Sequence, residues 1–171
     1  RMYWPTLQTT NVANPFLQNV GIENLTLNRV NGGGIGFEFA AYGWVKNVEV
    51  NYWIGGAVNT WLSARIEITG SYMHNCIDCQ NNGNEYPVGV SAASTEVLVD
   101  NNIITFGGKG MVGRAANSTV VAHNYVDKTF YETGAGIGDY WNDMSLNGSH
   151  YAGTHHFLFE GNWANNCDGD E

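Results

Sequence analysis

The sequence predicts an all-β solenoid that forms a single domain, and three observations lead to this fold class. The chain has 171 residues, of which 22 are Gly, 22 are Asn and only 3 are Pro. Gly and Asn tolerate left-handed backbone conformations, so this composition indicates many tight turns. No segment places apolar residues at helical spacing over several turns. The hydrophobic share of 43% is enough for one packed core in a chain of this length.

Two segments resemble each other closely enough to indicate a repeat. STEVLVDNNIITF (94–106) is followed by NSTVVAHNYVDK (117–128), and this alignment places His123 opposite Asp100, 23 residues earlier. The same alternation predicts a first series of strands with inward apolar pairs. These pairs are Leu25/Leu27, Val48/Val50, Ile66/Ile68, Val97/Val99 and Val120/Ala122, and FLFEGNW (157–163) completes the series.

A second series of short strands lies between members of the first. It comprises GIGFEF (34–39), GAVNTWL (56–62), PVGVSA (87–92) and KGMVGRA (109–115). Parallel strands need no crossover helix when the chain returns around a coil. Asn101, Asn124 and Asn162 then stack at one turn as an Asn ladder. The alternative is an antiparallel β-sandwich, which explains the alternation but not the fixed Asn position.

The steps between equivalent strands predict about five to six coils with two long insertions. The steps are 23, 18, 31, 23 and 38 residues, and the two longest enclose insertions at about 77–88 and 128–154. We expect a lead-in over 1–20, regular coils over 21–127, a long loop over 128–154 and a last coil over 155–171. Neither end shows a capping helix, so 1–171 is expected to be one domain within a longer chain. Open coil ends would also accept a further chain or subunit.

The charge balance limits the partners. With 7 Lys and Arg against 16 Asp and Glu, the formal net charge is −9. This charge argues against nucleic acid and against an anionic membrane surface, because both attract basic proteins. No apolar run approaches a membrane span of about 20 residues. Acidic loops are compatible with calcium or with neutral sugars.

The sequence contains no complete metal site. Cys76 and Cys79 form a C-x-x-C pair, but a zinc site needs a second pair, so a local disulfide or buried thiols are favoured. His155 and His156 lack a third ligand at useful spacing. No metal-ligating residue is assigned, and calcium is the one cofactor that the acidic loops leave open.

Four segments resemble the rungs of a known superfamily: GIENLTL (21–27), WVKNVEV (44–50), EVLVDNNII (96–104) and TVVAHNYVD (119–127). They are similar to rungs of right-handed parallel β-helix proteins of the pectate-lyase-like superfamily. The closest resemblance is to uncharacterised bacterial members, in which an AHNYVD-like rung leads through a long loop to an LFEGN-like rung. The likeness covers about residues 20–166. It implies a right-handed parallel β-helix, whereas activity stays open because the superfamily includes lyases, hydrolases, epimerases, tailspikes and purely structural coils.

The outward positions of the predicted coil suggest a catalytic site. In the predicted register, Asp100 and His123 lie one coil apart and are expected to contact each other. Asp127 and Glu160 fall nearby, at the entrance and the exit of the long loop. A carboxylate–imidazole pair suits general acid–base work. We therefore predict Asp100, His123, Asp127 and Glu160 as catalytic residues.

The long loop suggests a sugar-binding surface. It combines aromatic side chains, which stack on pyranose rings, with carboxylates, which bind hydroxyl groups. The predicted substrate-binding residues are Tyr131, Asp139, Tyr140, Trp141, Asp143 and Tyr151. An outward apolar column of Leu98, Val121 and Phe159 requires a cover, which the loop, a substrate chain or a partner protein would provide.

Two functions follow from these patterns. The first is a secreted or cell-surface polysaccharide lyase or glycoside hydrolase that binds a sugar chain along the outer face of the coil. A lyase of the pectate type is disfavoured because Asp100 stands alone in its column, away from Arg65, Lys109 and Arg114. A glycosidase needs two carboxylates about 5–9.5 Å apart. The second function is a non-catalytic surface, adhesive or assembly protein whose exposed apolar column is a protein interface.

Overall fold

The computed structural model describes residues 17–30, 33–77, 86–132, 140–142, 145–148, 150–165 and 167–168. Every regular element in these ranges is a β-strand. The predicted all-β class is therefore confirmed. Because no helix occurs in these ranges, none is present there that is long and apolar enough to cross a membrane.

The strands form three parallel sheets, which we name A, B and C, and one short antiparallel pair. The chain visits the sheets in the fixed order A, B, C, and we call each passage a unit. Unit 1 has β1 (Leu17–Gln18) and β2 (Gly21–Glu23) in sheet A, β3 (Thr26–Val30) in B and β4 (Ile35–Glu38) in C. Unit 2 has β5 (Ala40–Lys46), β6 (Glu49–Trp53) and β7 (Val58–Trp61). Unit 3 has β8 (Ala64–Thr69), β9 (Tyr72–His74) and β10 (Val88–Ser91).

The same rotation continues through the rest of the described chain. Unit 4 has β11 (Leu98–Asp100), β12 (Ile103–Thr105) and β13 (Met111–Arg114). Unit 5 has β14 (Asn117–Ala122) and β15 (Tyr125–Asp127), the antiparallel pair β16 (Phe130–Glu132) and β17 (Tyr140–Asn142), and then β18 (Leu146–Asn147) in sheet C. Unit 6 has β19 (His155–Glu160), β20 (Trp163–Ala164) and β21 (Cys167–Asp168).

Each strand pairs in parallel with the strand of the same sheet in the next unit. Parallel pairing requires a crossover, and here the two intervening strands of the unit supply it. This arrangement is compatible with a parallel β-helix. The second predicted strand series is confirmed, because β4, β7, β10 and β13 lie within its four segments and form neighbouring strands of sheet C.

Equivalent positions give the true length of each unit. Val48 and Ser71 are 23 residues apart, and Ser71 and Asn102 are 31 apart. Asn102 and Asn124 are 22 apart, and Asn124 and Asn162 are 38 apart. The two predicted insertions are therefore present, and most of their extra length connects sheet B to sheet C. The range 128–154 is not one loop throughout, because it includes the antiparallel pair and strand β18 of sheet C.

The core consists of apolar columns that point inward from the three sheets. Sheet A contributes Val45, Ile68, Val99 and Val121, each at most 1% exposed. Sheet B contributes Val50, Met73, Ile104 and Val126, and sheet C contributes Ile35, Val58, Val88, Met111 and Leu146. Each fully buried side chain of this kind contributes about 1.5–3 kcal/mol to the free energy of unfolding. The columns hold the sheets together along the whole described length.

The predicted strand register is wrong in two places. Val99 pairs with Val121 rather than with Ala122, so the repeat offset is 22 and Val121 points inward. The pairs that include Leu27 and Val50 belong to sheet B, whereas those that include Ile68 and Val99 belong to sheet A. Alternation alone does not distinguish these registers, because apolar residues occupy both sides of the strands.

Left-handed residues stack in columns where the sheets meet. The column between sheets A and B has φ values from 52° to 62°. Its members are Asn24, Asn47, Gly70, Asn101, His123 and Gly161. Asn is favoured here because it tolerates the left-handed region, and Asn47 Nδ2 also donates to Asn24 Oδ1 at 2.8 Å. His123 therefore aligns with Asn101 and not with Asp100.

The Asn ladder lies one residue further along than predicted. Asn102, not Asn101, is its member: the Ser71 N–H donates to Asn102 Oδ1 at 2.9 Å, and the Asn102 N–H donates to Asn124 Oδ1 at 2.9 Å. Asn162 continues the ladder by accepting from the Asn124 N–H at 2.9 Å. Asn102 and Asn124 are buried, so their amides satisfy backbone groups that water does not reach. Asn101 is exposed and occupies the left-handed corner instead.

Candidate functional site

The structure brings together two of the predicted catalytic residues. His123 Nδ1 lies 2.9 Å from Asp100 Oδ1, so the predicted contact is present. Asp100 ends β11, and His123 follows β14 in the left-handed corner. Their side chains are 33% and 65% exposed, respectively. A polar contact this exposed competes with water and contributes little to stability.

The other two predicted catalytic residues lie on either side of this corner. Glu160 is in register with Ala122, and its carbonyl accepts from the His123 N–H at 3.0 Å. Asp127 ends β15 in sheet B, where its carboxylate accepts from the Tyr125 hydroxyl at 3.1 Å. Partial desolvation and this hydrogen bond raise the pKa of Tyr125, which keeps the phenol protonated. Asp127 is therefore engaged locally, on a different sheet from Asp100.

The predicted substrate-binding residues are spread over several elements. Tyr131 lies opposite Trp141 in the antiparallel pair, and Tyr140 lies opposite Glu132. Tyr151 is exposed, with its ring centroid 4.7 Å from that of His150. Asp139 and Asp143 lie outside the described residues.

A groove of about 520 Å³ lies on the outer face of sheet A. Trp44, Glu67 and Leu98 contribute to it because they are in register and point outward on three neighbouring strands. A second column of left-handed residues borders them. The lining residues are Asn19, Tyr42, Gly43, Trp44, Arg65, Glu67, Glu96 and Leu98. None of the four predicted catalytic residues lines this groove.

Arg65 organises the polar side of the groove. Its Nε lies 2.6 Å from Glu96 Oε2, and its guanidinium carbon lies 5.1 Å from the centroid of the Tyr42 ring. Arg65 also donates a hydrogen bond to the Tyr42 hydroxyl. The hydrogen bond to Glu96 raises the pKa of Arg65, so the guanidinium stays charged. The three side chains therefore hold one another in place across three units.

Trp44 provides the apolar surface of the groove. Its indole lies over Gly21 of unit 1, where a Cβ would come within 2.0 Å of the ring. A side chain at position 21 would displace the indole. Glycine there thus allows a large aromatic ring to lie against the sheet.

These groove residues were not predicted from the sequence, although their spacing carries a signal. Asn19, Tyr42, Arg65 and Glu96 all have positive φ. Arg65 is separated from Tyr42 by 23 residues and from Glu96 by 31, which are the lengths of the corresponding units. Once the unit lengths are known, this column can be read from the sequence. The 18-residue step in the predicted register concealed it.

The exposed apolar column also differs from the prediction. In sheet A, Leu98 is in register with Val120 and Leu158, while Val121 points inward and pairs with Phe159. A more exposed column runs along the outer face of sheet B. It consists of Tyr72, Ile103, Tyr125 and Trp163, which are 37%, 48%, 41% and 51% exposed.

The described residues contain no cluster of three His, Cys, Asp or Glu side chains arranged to hold a metal ion. Calcium, which the acidic loops leave open, stays a prediction. Cys76 is disulfide-bonded, and Cys167 is a free, exposed thiol. Cys79, the predicted partner of Cys76, lies outside the described residues.

Over the described residues, these features define three parallel sheets with an open groove of aromatic and charged side chains on one outer face. No known family model matches the chain, and neither a curated protein nor a solved structure gives a match.

Proposed function

We propose that the chain forms a right-handed parallel β-helix of the pectate-lyase-like type and binds a polysaccharide in the groove of sheet A. The rotation through three parallel sheets supports the β-helix, and right-handed crossovers are the rule for parallel strands. The disulfide at Cys76 supports an oxidising compartment, such as the cell exterior.

The groove of sheet A carries the proposal. The rings of Tyr42 and Trp44 offer apolar surface to a pyranose, and Glu67, Glu96 and Arg65 offer hydrogen-bonding groups to its hydroxyls. Two carboxylates and one guanidinium leave the groove with a formal charge of −1. A neutral polysaccharide therefore suits the groove better than a polyuronate, which would be repelled.

The two carboxylates favour hydrolysis over elimination. Glu67 and Glu96 line the same groove from neighbouring units, with Glu67 in register with Leu98, two residues beyond Glu96. Glycoside hydrolases use carboxyl groups separated by about 5–9.5 Å. Within the described residues, Glu67 makes no hydrogen bond or ion pair through its side chain, so it is available as the acid. Arg65 is already engaged by Glu96 and Tyr42, which leaves it poorly placed to act as a base.

The test compares binding and hydrolysis of β-glucan, galactomannan, xylan and polygalacturonate. Trp44→Ala should weaken binding of a neutral polysaccharide about tenfold or more in affinity electrophoresis. Trp61→Ala is the matched control, because Trp61 is 46% exposed on sheet C, outside the groove. Glu67→Gln should reduce the release of reducing ends about 10²- to 10⁴-fold without weakening binding comparably.

The second candidate function is a non-catalytic assembly protein, and the exposed column of sheet B favours it. Tyr125 and Trp163 stack with ring centroids 4.6 Å apart, so one face of each ring is covered by the other. A protein partner, or a further chain on the open end of the coil, would cover such a column. The same experiment separates the two functions: an assembly protein binds no polysaccharide on the panel, and its Trp44 and Trp61 variants behave alike.

A further inference from the structure

A notch interrupts the column of left-handed residues between sheets A and B. Asn24 and Asn47 stack in units 1 and 2, but Gly70 follows in unit 3. A Cβ at Gly70 would meet no atom within 4 Å, so the missing side chain leaves open space. The result is a groove of about 310 Å³. Its lining residues are Asn24, Leu25, Thr26, Asn47, Val48, Glu49, Gly70 and Tyr72.

Glu49 presents a fixed carboxylate to this notch. Its Oε1 lies 2.9 Å from His74 Nε2, and its Oε2 accepts from the Thr26 hydroxyl at 2.9 Å. The hydrogen bond from His74, followed by that from Thr26, lowers the pKa of Glu49. The side chain is still 38% exposed, so the carboxylate retains lone pairs that face solvent.

The histidine that holds Glu49 is itself oriented. Asn75 Nδ2 lies 2.8 Å from His74 Nδ1 and donates to it, since it carries hydrogens and no lone pair. Because Nδ1 accepts this hydrogen bond, the Nε2–H group is the one that donates a hydrogen bond to Glu49.

The remaining walls are an amide oxygen and an aromatic ring. Asn47 donates its Nδ2 to Asn24, and within the described residues its Oδ1 has no partner. The Tyr72 ring stacks on His74 with centroids 4.0 Å apart and planes 7° apart, which covers one face. Tyr72 also lines the groove, so the notch combines hydrogen-bond acceptors, a negative charge and aromatic surface.

We propose that the Gly70 notch binds the primary ammonium group of an amino sugar. An ammonium has three donors and no acceptor, which matches Glu49 and the Asn47 oxygen. It is also attracted to the face of an aromatic ring such as Tyr72. The attached pyranose fits the open volume beside Gly70. This site shares no lining residue with the groove of sheet A and does not depend on the function proposed for that groove.

The test is an NMR titration with glucosamine, glucose and Nα-acetyl-lysine methylamide. Glucosamine should bind with a Kd of about 1–10 mM, as expected for a ligand of this size, and added NaCl should weaken binding. Glucose and the lysine derivative should each bind at least about tenfold more weakly, because each lacks one of the two recognised features.

Two variants locate the site, and one serves as a control. Glu49→Gln removes the charge while keeping the shape, and Gly70→Asn fills the notch with a residue that tolerates φ of +59°. Each should weaken glucosamine binding at least about tenfold, while thermal melts show that Gly70→Asn stays folded. Gly36→Ser should bind as wild type, since a Cβ at Gly36 also meets nothing but lies on sheet C.

Several outcomes would overturn the proposal. Equal binding of glucose and glucosamine would show that hydroxyl groups, not the ammonium, are recognised. If the lysine derivative binds as tightly as glucosamine, the notch recognises the ammonium alone and not an amino sugar. If Gly70→Asn binds glucosamine as tightly as wild type, or if the wild-type protein does not bind glucosamine, the notch is not an amino-sugar site. Trp44→Ala should leave glucosamine binding unchanged, so failure here is distinguishable from failure of the sheet A groove.

Discussion

Glu49 connects three successive units through one side chain. It lies on β6 and contacts Thr26 on β3 and His74 on β9, its neighbours above and below in sheet B. Two donors converge on one carboxylate, so its ionised form is favoured in the folded state and its pKa falls below the usual 4.5. A group whose pKa is lowered on folding stabilises the protein above its unfolded pKa. That contribution disappears as the pH falls through the folded value.

Replacement of Glu49 should therefore have a pH-dependent effect on stability. The melting temperature of Glu49→Gln should lie below that of wild type at pH 7, and the gap should shrink as the pH falls through the lowered pKa of Glu49. Thr26→Val removes one of the two donors and should lose part of the same pH-dependent difference. Thermal melts followed by circular dichroism, over a pH series that runs downward from pH 7, measure the gap. A gap that stays constant across the pH series contradicts the lowered pKa of Glu49.

Strand β14 illustrates how a single residue of register decides which side chains form the core. Val121 pairs with Val99 and is 1% exposed, whereas Val120 pairs with Leu98 and points outward. A shift of one residue exchanges the two faces of the strand. The burial of Val121 thus depends on the 22-residue step between units 4 and 5.

Alanine substitutions at these neighbouring positions should differ in their cost. Val121→Ala should lower the free energy of unfolding by about 2 kcal/mol, because it removes buried methyl groups and leaves a cavity. Val120→Ala is the matched control and should cost less than about 1 kcal/mol. Urea denaturation of both variants measures the difference. If Val120→Ala proves the more damaging change, the register is that of the sequence alignment and not that of the structure.

The sequence predicted the strands of sheet C better than those of sheets A and B. In sheet C, glycines and turn residues bracket each short apolar run, so its limits are visible. Sheets A and B are joined by a single left-handed residue and its neighbour, as at Asn101–Asn102. Without a longer break, two strands read as one alternating segment. The predicted series of inward apolar pairs therefore passed from sheet B to sheet A between Val50 and Ile66.

At the scale of the whole molecule, the Asn ladder connects units 3 to 6. Asn102 accepts from the Ser71 N–H and donates to the Ile68 carbonyl and to Asn124 Oδ1. Asn124 repeats this pattern toward Asn162. The ladder satisfies buried backbone groups at the same corner in successive units, where the sheet hydrogen bonds are interrupted by the turn.

Loss of one ladder residue should destabilise the whole molecule. Asn102→Ala leaves the Ser71 N–H without its acceptor and removes a side-chain donor from the Ile68 carbonyl, so it should lower the free energy of unfolding by about 1–3 kcal/mol. Asn101→Gly, one residue away, keeps a backbone that accepts φ of 55° and should change it by less than about 1 kcal/mol. Urea denaturation distinguishes the two. An Asn102→Ala protein as stable as wild type means that the ladder is not needed for stability.

The candidate sites required the three-dimensional register. The Asp100–His123 contact was predictable because the echo of 94–106 in 117–128 is visible in the sequence. The contact survives the one-residue error because the two side chains meet across the corner rather than along one strand. The groove of sheet A and the Gly70 notch were not predictable in this way. Their residues come from three or four units, and the predicted 18-residue step between units 2 and 3 put these units out of register, whereas the true step is 23 residues.

The fixed order of the sheets determines how sequence separation relates to distance on the surface. A unit of 23 residues contains about 75 Å of extended backbone, yet it lengthens the stack by only about 4.8 Å. Nearly all of the backbone length of a unit runs around the stack, and very little of it runs along the stack axis. Equivalent positions in successive units therefore lie only about 4.8 Å apart on the surface. Neighbouring positions on this surface are related across the strands rather than along the chain. Residues that are 22 to 38 positions apart in the sequence can therefore be substituted as neighbours in one binding surface.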